Sequence, residues 1–225
     1  VRLPHNAVDL PFSYFDEREY QRPFTYQKVF RAEPGWTGRE VTLIFDGAMA
    51  NSTVYLNGVE IAAHKDGYTP FAARLTGRLR PDTNLITVTL DGSENPDIPP
   101  FGGRIDYLTY AGIYREAVLR VTAPIWIGNP KIETPDALAA SKTVTVRAEI
   151  NNIDGLPLSG TISAAVKDRD GRTLGIASAQ IDGRQVNLTI SGLEGIQLWD
   201  VDNPALYTLE MALETPSGND WAAHP

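Results

Sequence analysis

Cysteine is absent from the 225 residues. That excludes a thiol nucleophile, a disulfide framework and a thiolate zinc site, and it leaves the redox compartment open. Histidine is scarce. His5, His64 and His224 lie far apart and have no ligand spacing, so no metal site is read. Positive charge is in deficit: 20 Lys and Arg face 28 Asp and Glu, for a net charge of -8. Nucleic acid as a partner is disfavoured, because its phosphates require cationic neutralisation. No apolar run approaches the ~20 residues of a helical membrane span. The start, Val1-Arg2-Leu3-Pro4-His5, lacks the shape of a signal peptide. It also lacks an initiating Met, and the expectation is a chain cut from a longer one. Oligomeric state is open, a homo-oligomer being one option.

Long helical periodicity is missing too. What is present is a succession of short runs rich in Val, Ile, Thr, Tyr and Leu, bounded by turn signals. Strands are expected at Thr25–Arg31, Glu40–Asp46, Ser52–Leu56, Asn84–Leu90, Ala117–Thr122, Lys142–Asn151, Gly160–Lys167, Gln185–Ile190 and Leu206–Glu214. Val144 to Ile150 alternates apolar and polar residues, which places one face on a core and the other in water. Asn57-Gly58 between two apolar runs predicts a two-residue hairpin. Asp91-Gly92, Asp170-Gly171 and Asp182-Gly183 supply further turns. This spacing indicates all-β sandwiches rather than βαβ units. A composition change near Ala123–Pro130 divides the chain into residues 1–124 and 125–225. The second part has about the length of an immunoglobulin-like sandwich.

The unusual chemistry sits in the first part. A Pro- and Gly-rich loop, 95–103, leads into Asp106-Tyr107-Leu108-Thr109-Tyr110-Ala111-Gly112-Ile113-Tyr114-Arg115. Long loops of this kind in β domains tend to be functional or disordered. Asp106 can accept hydrogen bonds from sugar hydroxyls, and the faces of Tyr107 and Tyr110 can pack on a sugar ring. In the alternative reading the tyrosines are core anchors and Arg115 is a structural ion-pair or backbone-capping residue.

Several of these motifs resemble glycoside hydrolase family 2, which includes β-galactosidases, β-glucuronidases and β-mannosidases. The resemblance rests on Leu3-Pro4-His5-Asn6 and on the strand Phe24 to Phe30. It continues through Phe45-Asp46-Gly47-Ala48, Val54-Tyr55-Leu56-Asn57-Gly58 and Gly67-Tyr68-Thr69-Pro70-Phe71. Asp106 with Tyr110 to Arg115 follows, and then Leu198-Trp199-Asp200 with Asn203-Pro204-Ala205-Leu206-Tyr207. Their order spans almost the whole chain. The resemblance implies a jelly-roll sugar-binding-type domain (1–124) and an immunoglobulin-like domain (125–225). It also implies a catalytic (β/α)₈ barrel beyond them, carrying the paired glutamates of a retaining glycosidase. No such barrel and no Asn-Glu acid/base motif is found here, so no catalytic residue is assigned.

The parent is therefore expected to hydrolyse terminal β-glycosidic bonds, and this chain alone to be inactive. The resemblance also implies Asp106 as a substrate-binding residue that orients sugar hydroxyls, and no cofactor. The partners it implies are a β-glycoside substrate and the missing barrel, with no membrane. A stand-alone carbohydrate-binding module is the alternative. Met49 is the nearest counterpart of a galactosidase asparagine, with Asn51 out of register, and neither is assigned. Glu149, Glu194 and Glu210 read as surface groups, Asp168 to Gly171 as a hairpin turn, and Trp199 as a core or domain-interface anchor.

Overall fold

The protein is described by a computed structural model covering residues 1–9, 13, 16–19, 21–98 and 109–225. Asp106 and Tyr107 lie outside the described residues. The chain divides into two compact units, Val1–Val121 and Thr122–Pro225. Among the described residues, helix is confined to two single 3₁₀ turns, Glu17–Glu19 and Pro34–Trp36.

The first unit builds β1 (Pro23–Arg31), β2 (Glu40–Phe45), β3 (Asn51–Leu56), β4 (Val59–Lys65), β5 (Phe71–Arg74), β6 (Thr83–Asp91) and β7 (Ala117–Thr122). One antiparallel sheet runs β1-β6-β3-β4 and a second runs β5-β2-β7. Neighbours are mostly not consecutive in sequence, so the chain crosses repeatedly between sheets, as in a jelly-roll sandwich. In β3, Ser52, Val54 and Leu56 point inward while Asn51, Thr53 and Tyr55 are half-exposed. The inner residues pack with Val41, Phe45, Leu75, Val88 and Leu90 in one core. Each such fully buried side chain contributes roughly 1.5–3 kcal/mol. Asn57 and Gly58, at φ 53° and 85°, make the two-residue turn between β3 and β4. The Asn57 carboxamide also pins β6: its Oδ1 accepts from Leu85 N at 3.0 Å and its Nδ2 donates to Asn84 Oδ1 at 3.0 Å.

The second unit builds β8 (Ile125–Ile127), β9 (Lys131–Glu133), β10 (Lys142–Asn152), β11 (Thr161–Lys167), β12 (Thr173–Gln180), β13 (Gln185–Leu193), β14 (Thr208–Thr215) and β15 (Gly218–His224). Its sheets are β13-β10-β8, with β9 on β10, and β12-β11-β14-β15. That order is the two-sheet arrangement of an immunoglobulin-like sandwich. In β10, Val146, Ala148 and Ile150 are buried and alternate with exposed Arg147 and Glu149, as the sequence pattern requires. Val146 pairs with Leu188 of β13, and both enter the core with Ile162, Met211 and Leu213. Tyr207, just before β14, accepts a hydrogen bond on its hydroxyl from Gln197 N at 2.8 Å. This ties down the crossing between the sheets in the manner of a tyrosine corner.

Two sequence expectations change. Trp199 is 60% exposed and does not join the core, because it lies in a turn closed by reciprocal bonds between Asp200 and Asn203. Strands β5, β8, β9, β12 and β15 carry weaker sequence patterns than their neighbours and are held by pairing. Asp168 behaves as expected of a turn residue: its Oδ1 accepts from the amides of Asp170 and Arg172.

Glu40 is buried at the start of β2, with both carboxylate oxygens bound by Arg74 of β5, Nε to Oε1 and Nη2 to Oε2, each at 2.8 Å. Arg74 sits opposite Thr42, so the pair is a cross-strand diagonal. Removing the cation strands a buried carboxylate. Arg74→Met is expected to cost about 2 kcal/mol, at the low side of such losses because the guanidinium is itself partly exposed. Adding Glu40→Leu is expected to recover most of that, with the urea unfolding midpoint as the readout.

Candidate functional site

The segment 109–115 is held by four other stretches of the first unit: residues 5–7, Tyr26, Met49 and Gly67. Thr109, Ala111 and Ile113 are buried. Residues 5–7 run antiparallel beside 111–113: His5 N donates to Ile113 O at 2.8 Å and Ala7 N to Ala111 O at 2.7 Å. The Asn6 side chain completes this edge, its Oδ1 accepting from Ala111 N at 2.7 Å. It is itself held through Nδ2, which donates to Val8 O at 2.6 Å. From the opposite side Met49 N donates to Gly112 O at 3.0 Å. The strap is therefore the middle line of a short three-way pairing, and its backbone groups are satisfied as buried ones must be.

Tyr26 of β1 reaches up beneath the strap. Its hydroxyl is 2.9 Å from His5 Nδ1 and takes a hydrogen bond from the Ile113 backbone. Burial raises its pKa, and the backbone bond acts the other way. Gly112, at φ +96°, leaves room for this phenol: a Cβ there would stand 2.1 Å from the Tyr26 oxygen and 3.2 Å from His5 O. Only glycine fits both the backbone angle and the space.

Farther along, Tyr114 Oη donates to Gly67 O at 2.6 Å. Asp46 N donates to Glu116 O at 3.0 Å. Burial raises the Tyr114 pKa; Arg115 lowers it, and Asp66 and Tyr110 add to the rise. The turn below is closed by Asp66, whose Oδ1 accepts from Tyr68 N at 2.7 Å. Slight burial alone would raise the Asp66 pKa. The bonds from Tyr68 and Thr69, with nearby His64, outweigh it and hold the carboxyl below its usual range. A lowered folded-state pKa means that this contribution is present above about pH 4 and fades as pH falls through the folded value. His64 stacks on Phe71 at 4.6 Å, and Phe71 on Phe45 at 4.8 Å, which ties the turn to the core.

The other segment end that borders residues 99–108 is also anchored. Ile98 is buried against Met49 and Ala50. Beside it a recess of about 80 Å³ is lined by Asn51, Asp91, Ser93, Glu94 and Asn95, among others. A cavity of about 820 Å³ is walled by Phe45, Leu75, Ile86, Val88 and Ile113, with His5 and Tyr26 among its polar lining groups. Arg2, Thr25, Gln27 and Lys28 also line it.

Of the residues singled out in the sequence, Tyr110, Tyr114 and Met49 come together here. Arg115 is exposed and lines the approach to Gly47, where a Cβ would meet its Cδ at 3.0 Å. Glu149 and Glu194 are exposed, and Glu210 pairs with Lys167, so none is arranged as a catalytic acid. The clamp of His5, Asn6 and Tyr26 was not assigned from sequence. Its signals were the Leu3-Pro4-His5-Asn6 motif and the Phe24 to Phe30 strand, neither of which gave a hint that Asn6 has a partner 105 residues away.

The described residues thus form two β-sandwich units, the first carrying the braced strap. The profile for "Glycosyl hydrolases family 2, sugar binding domain" matches residues 6–124, and that for "Glycosyl hydrolases family 2" matches residues 127–223. The chain belongs to glycoside hydrolase family 2. It is 47% identical to a β-galactosidase of Rhizobium meliloti over 220 residues, which is 95% of this chain and 28% of that protein. It is 34% identical to a β-galactosidase of Thermoanaerobacterium thermosulfurigenes, over 98% of this chain and 32% of that one. The crystal structure of a putative β-galactosidase from Bacteroides fragilis superposes with a TM-score of 0.86 at 26% identity, covering 100% of this chain and 35% of that one. The chain thus spans about a third of the length of the relatives it matches.

The clamp makes a direct prediction. Asn6→Ala leaves the buried Ala111 amide without its acceptor and is expected to cost about 1–3 kcal/mol. Hydrogen exchange at Ala111 should then speed up by about tenfold or more, while Asn6→Asp, which keeps the acceptor for Ala111 but loses the Nδ2 donor to Val8 O, should fall between Asn6→Ala and the parent. Gly112→Ala is expected to cost more than either, since it adds backbone strain to a clash with Tyr26.

Proposed function

We propose that this chain is the non-catalytic N-terminal part of a retaining family 2 glycoside hydrolase of the β-galactosidase/β-glucuronidase kind. The complete enzyme hydrolyses terminal β-glycosidic bonds. The functional division falls at 124/125, with a sugar-binding-type sandwich before it and an immunoglobulin-like sandwich after it. The missing barrel supplies the glutamate pair, one acid/base and one nucleophile ~5–5.5 Å apart. The first unit lends Asp106 to the sugar pocket, where its carboxylate orients substrate hydroxyls, a positioning role rather than a nucleophilic one.

The observation that carries this reading is the fixing of the strap. Segment 111–113 is hydrogen-bonded from both sides, by residues 5–7 and by Met49, and Ile98 is buried at the other border of 99–108. A segment bounded by two such anchors suits the presentation of a polar side chain. The family membership and the match to β-galactosidases over a third of their length support it.

The test compares the complete enzyme with this chain. The complete enzyme is expected to turn over p-nitrophenyl β-galactoside or β-glucuronide, and the pure 225-residue chain to turn over neither. Asp106→Asn in the complete enzyme removes a charge-assisted bond and is expected to lower kcat/KM by about 10–100-fold. Turnover by the chain alone, or unchanged kinetics in Asp106→Asn, would contradict the proposal. Tight sugar binding by the chain alone, lost in Asp106→Ala, would favour a stand-alone carbohydrate-binding module instead.

A further inference from the structure

Within the strap, Tyr110 breaks the pattern of its neighbours. Thr109, Ala111 and Ile113 are at most 3% exposed, yet Tyr110 is 51% exposed. Its ring lies parallel on Tyr114, with centroids 4.6 Å apart and planes 6° apart. Tyr114 is fixed in turn by its bond to Gly67 O at 2.6 Å and by close packing under Gly47. One face of Tyr110 is thereby occupied, and about half of the residue stays exposed.

We propose that the other face of Tyr110 is a stacking platform for the carbohydrate ring of the substrate, with Tyr114 the positioning residue beneath it. The inference rests on the family 2 reading and adds a contact to it. A pyranose presents a face of C–H groups and a rim of hydroxyls. The C–H face packs on a π-surface, and the rim turns to polar groups and water. Asp66 and Arg115 lie close enough to Tyr114, beneath Tyr110, to act on that phenol electrostatically. Ala111 and Ile113 of the strap face inward, so Tyr110 is not part of a run of exposed apolar residues along it, as a protein partner would require. The platform is one ring wide, which suits a ring-shaped ligand. It is also preorganised: the stack and the pinned backbone on both sides have already met the ordering cost that a free tyrosine would meet on binding.

The test is steady-state kinetics of the complete enzyme on a β-galactoside. Tyr110→Ala is expected to raise KM about tenfold with little change in kcat. Tyr110→Phe, which keeps the ring, should stay near the parent, and Tyr114→Ala should reproduce part of the effect by removing the support. An unchanged KM in Tyr110→Ala would overturn the proposal. So would equal losses in Tyr110→Ala and Tyr110→Phe accompanied by a lower melting midpoint, since a purely structural role does not distinguish the ring from its hydroxyl in that way. The two readings fail separately. If the proposed role of Asp106 is wrong, Asp106→Asn is silent as well; if only the platform is wrong, Asp106→Asn still lowers kcat/KM.

Discussion

The backbone pairing of residues 5–7 with 111–113 is the constraint on which the functional end of the first sandwich depends. Sheets of this kind hold their loops loosely unless something else ties them down, because loop backbone is normally satisfied by water. Here the N-terminal stretch takes that role. Two main-chain bonds and the Asn6 carboxamide close one side of the strap, and Met49 closes the other. Tyr26 fills the space that Gly112 leaves open. The arrangement is costly to alter at any one point, since each partner is buried or half-buried and satisfies another.

From this constraint the rest of the site follows. With 111–113 fixed, Tyr114 can reach Gly67 and seat the Asp66 turn, and Tyr110 is left stacked above it. The same rigidity fits the positioning role proposed for the first sandwich. A contact that must be placed within a fraction of an ångström is better carried by a braced segment than by a free loop. The second unit contributes a conventional immunoglobulin-like core, closed at its sheet crossing by Tyr207.

Much of this was legible in the sequence, for identifiable physical reasons. Strands with strong alternation, such as β10 and β13, announced themselves, and Asn57-Gly58 marked its hairpin. Strand β12 did not, because Gly175 and its alanines weaken the pattern. The structure explains the glycine: a Cβ at 175 would stand 2.7 Å from Leu193 and 2.8 Å from Ile190, so the opposing sheet claims the space. Strand β15 was hidden because its Trp221 is exposed and its stability comes from pairing with β14. Asp106, which lies outside the described residues, was read both from its loop context and from the family resemblance. The clamp of His5, Asn6 and Tyr26 joins residues too distant in sequence for any local pattern to reveal.

The central claim is that the braced strap delivers Asp106 to a sugar bound in the barrel of a longer enzyme. A crystal structure of the complete protein with a bound β-glycoside or inhibitor tests it most directly. The account predicts the Asp106 carboxylate within hydrogen-bonding distance, about 2.6–3.0 Å, of a sugar hydroxyl, with the 5–7 pairing on 111–113 intact. An Asp106 side chain directed to solvent, with the sugar contacted by barrel residues alone, would contradict it.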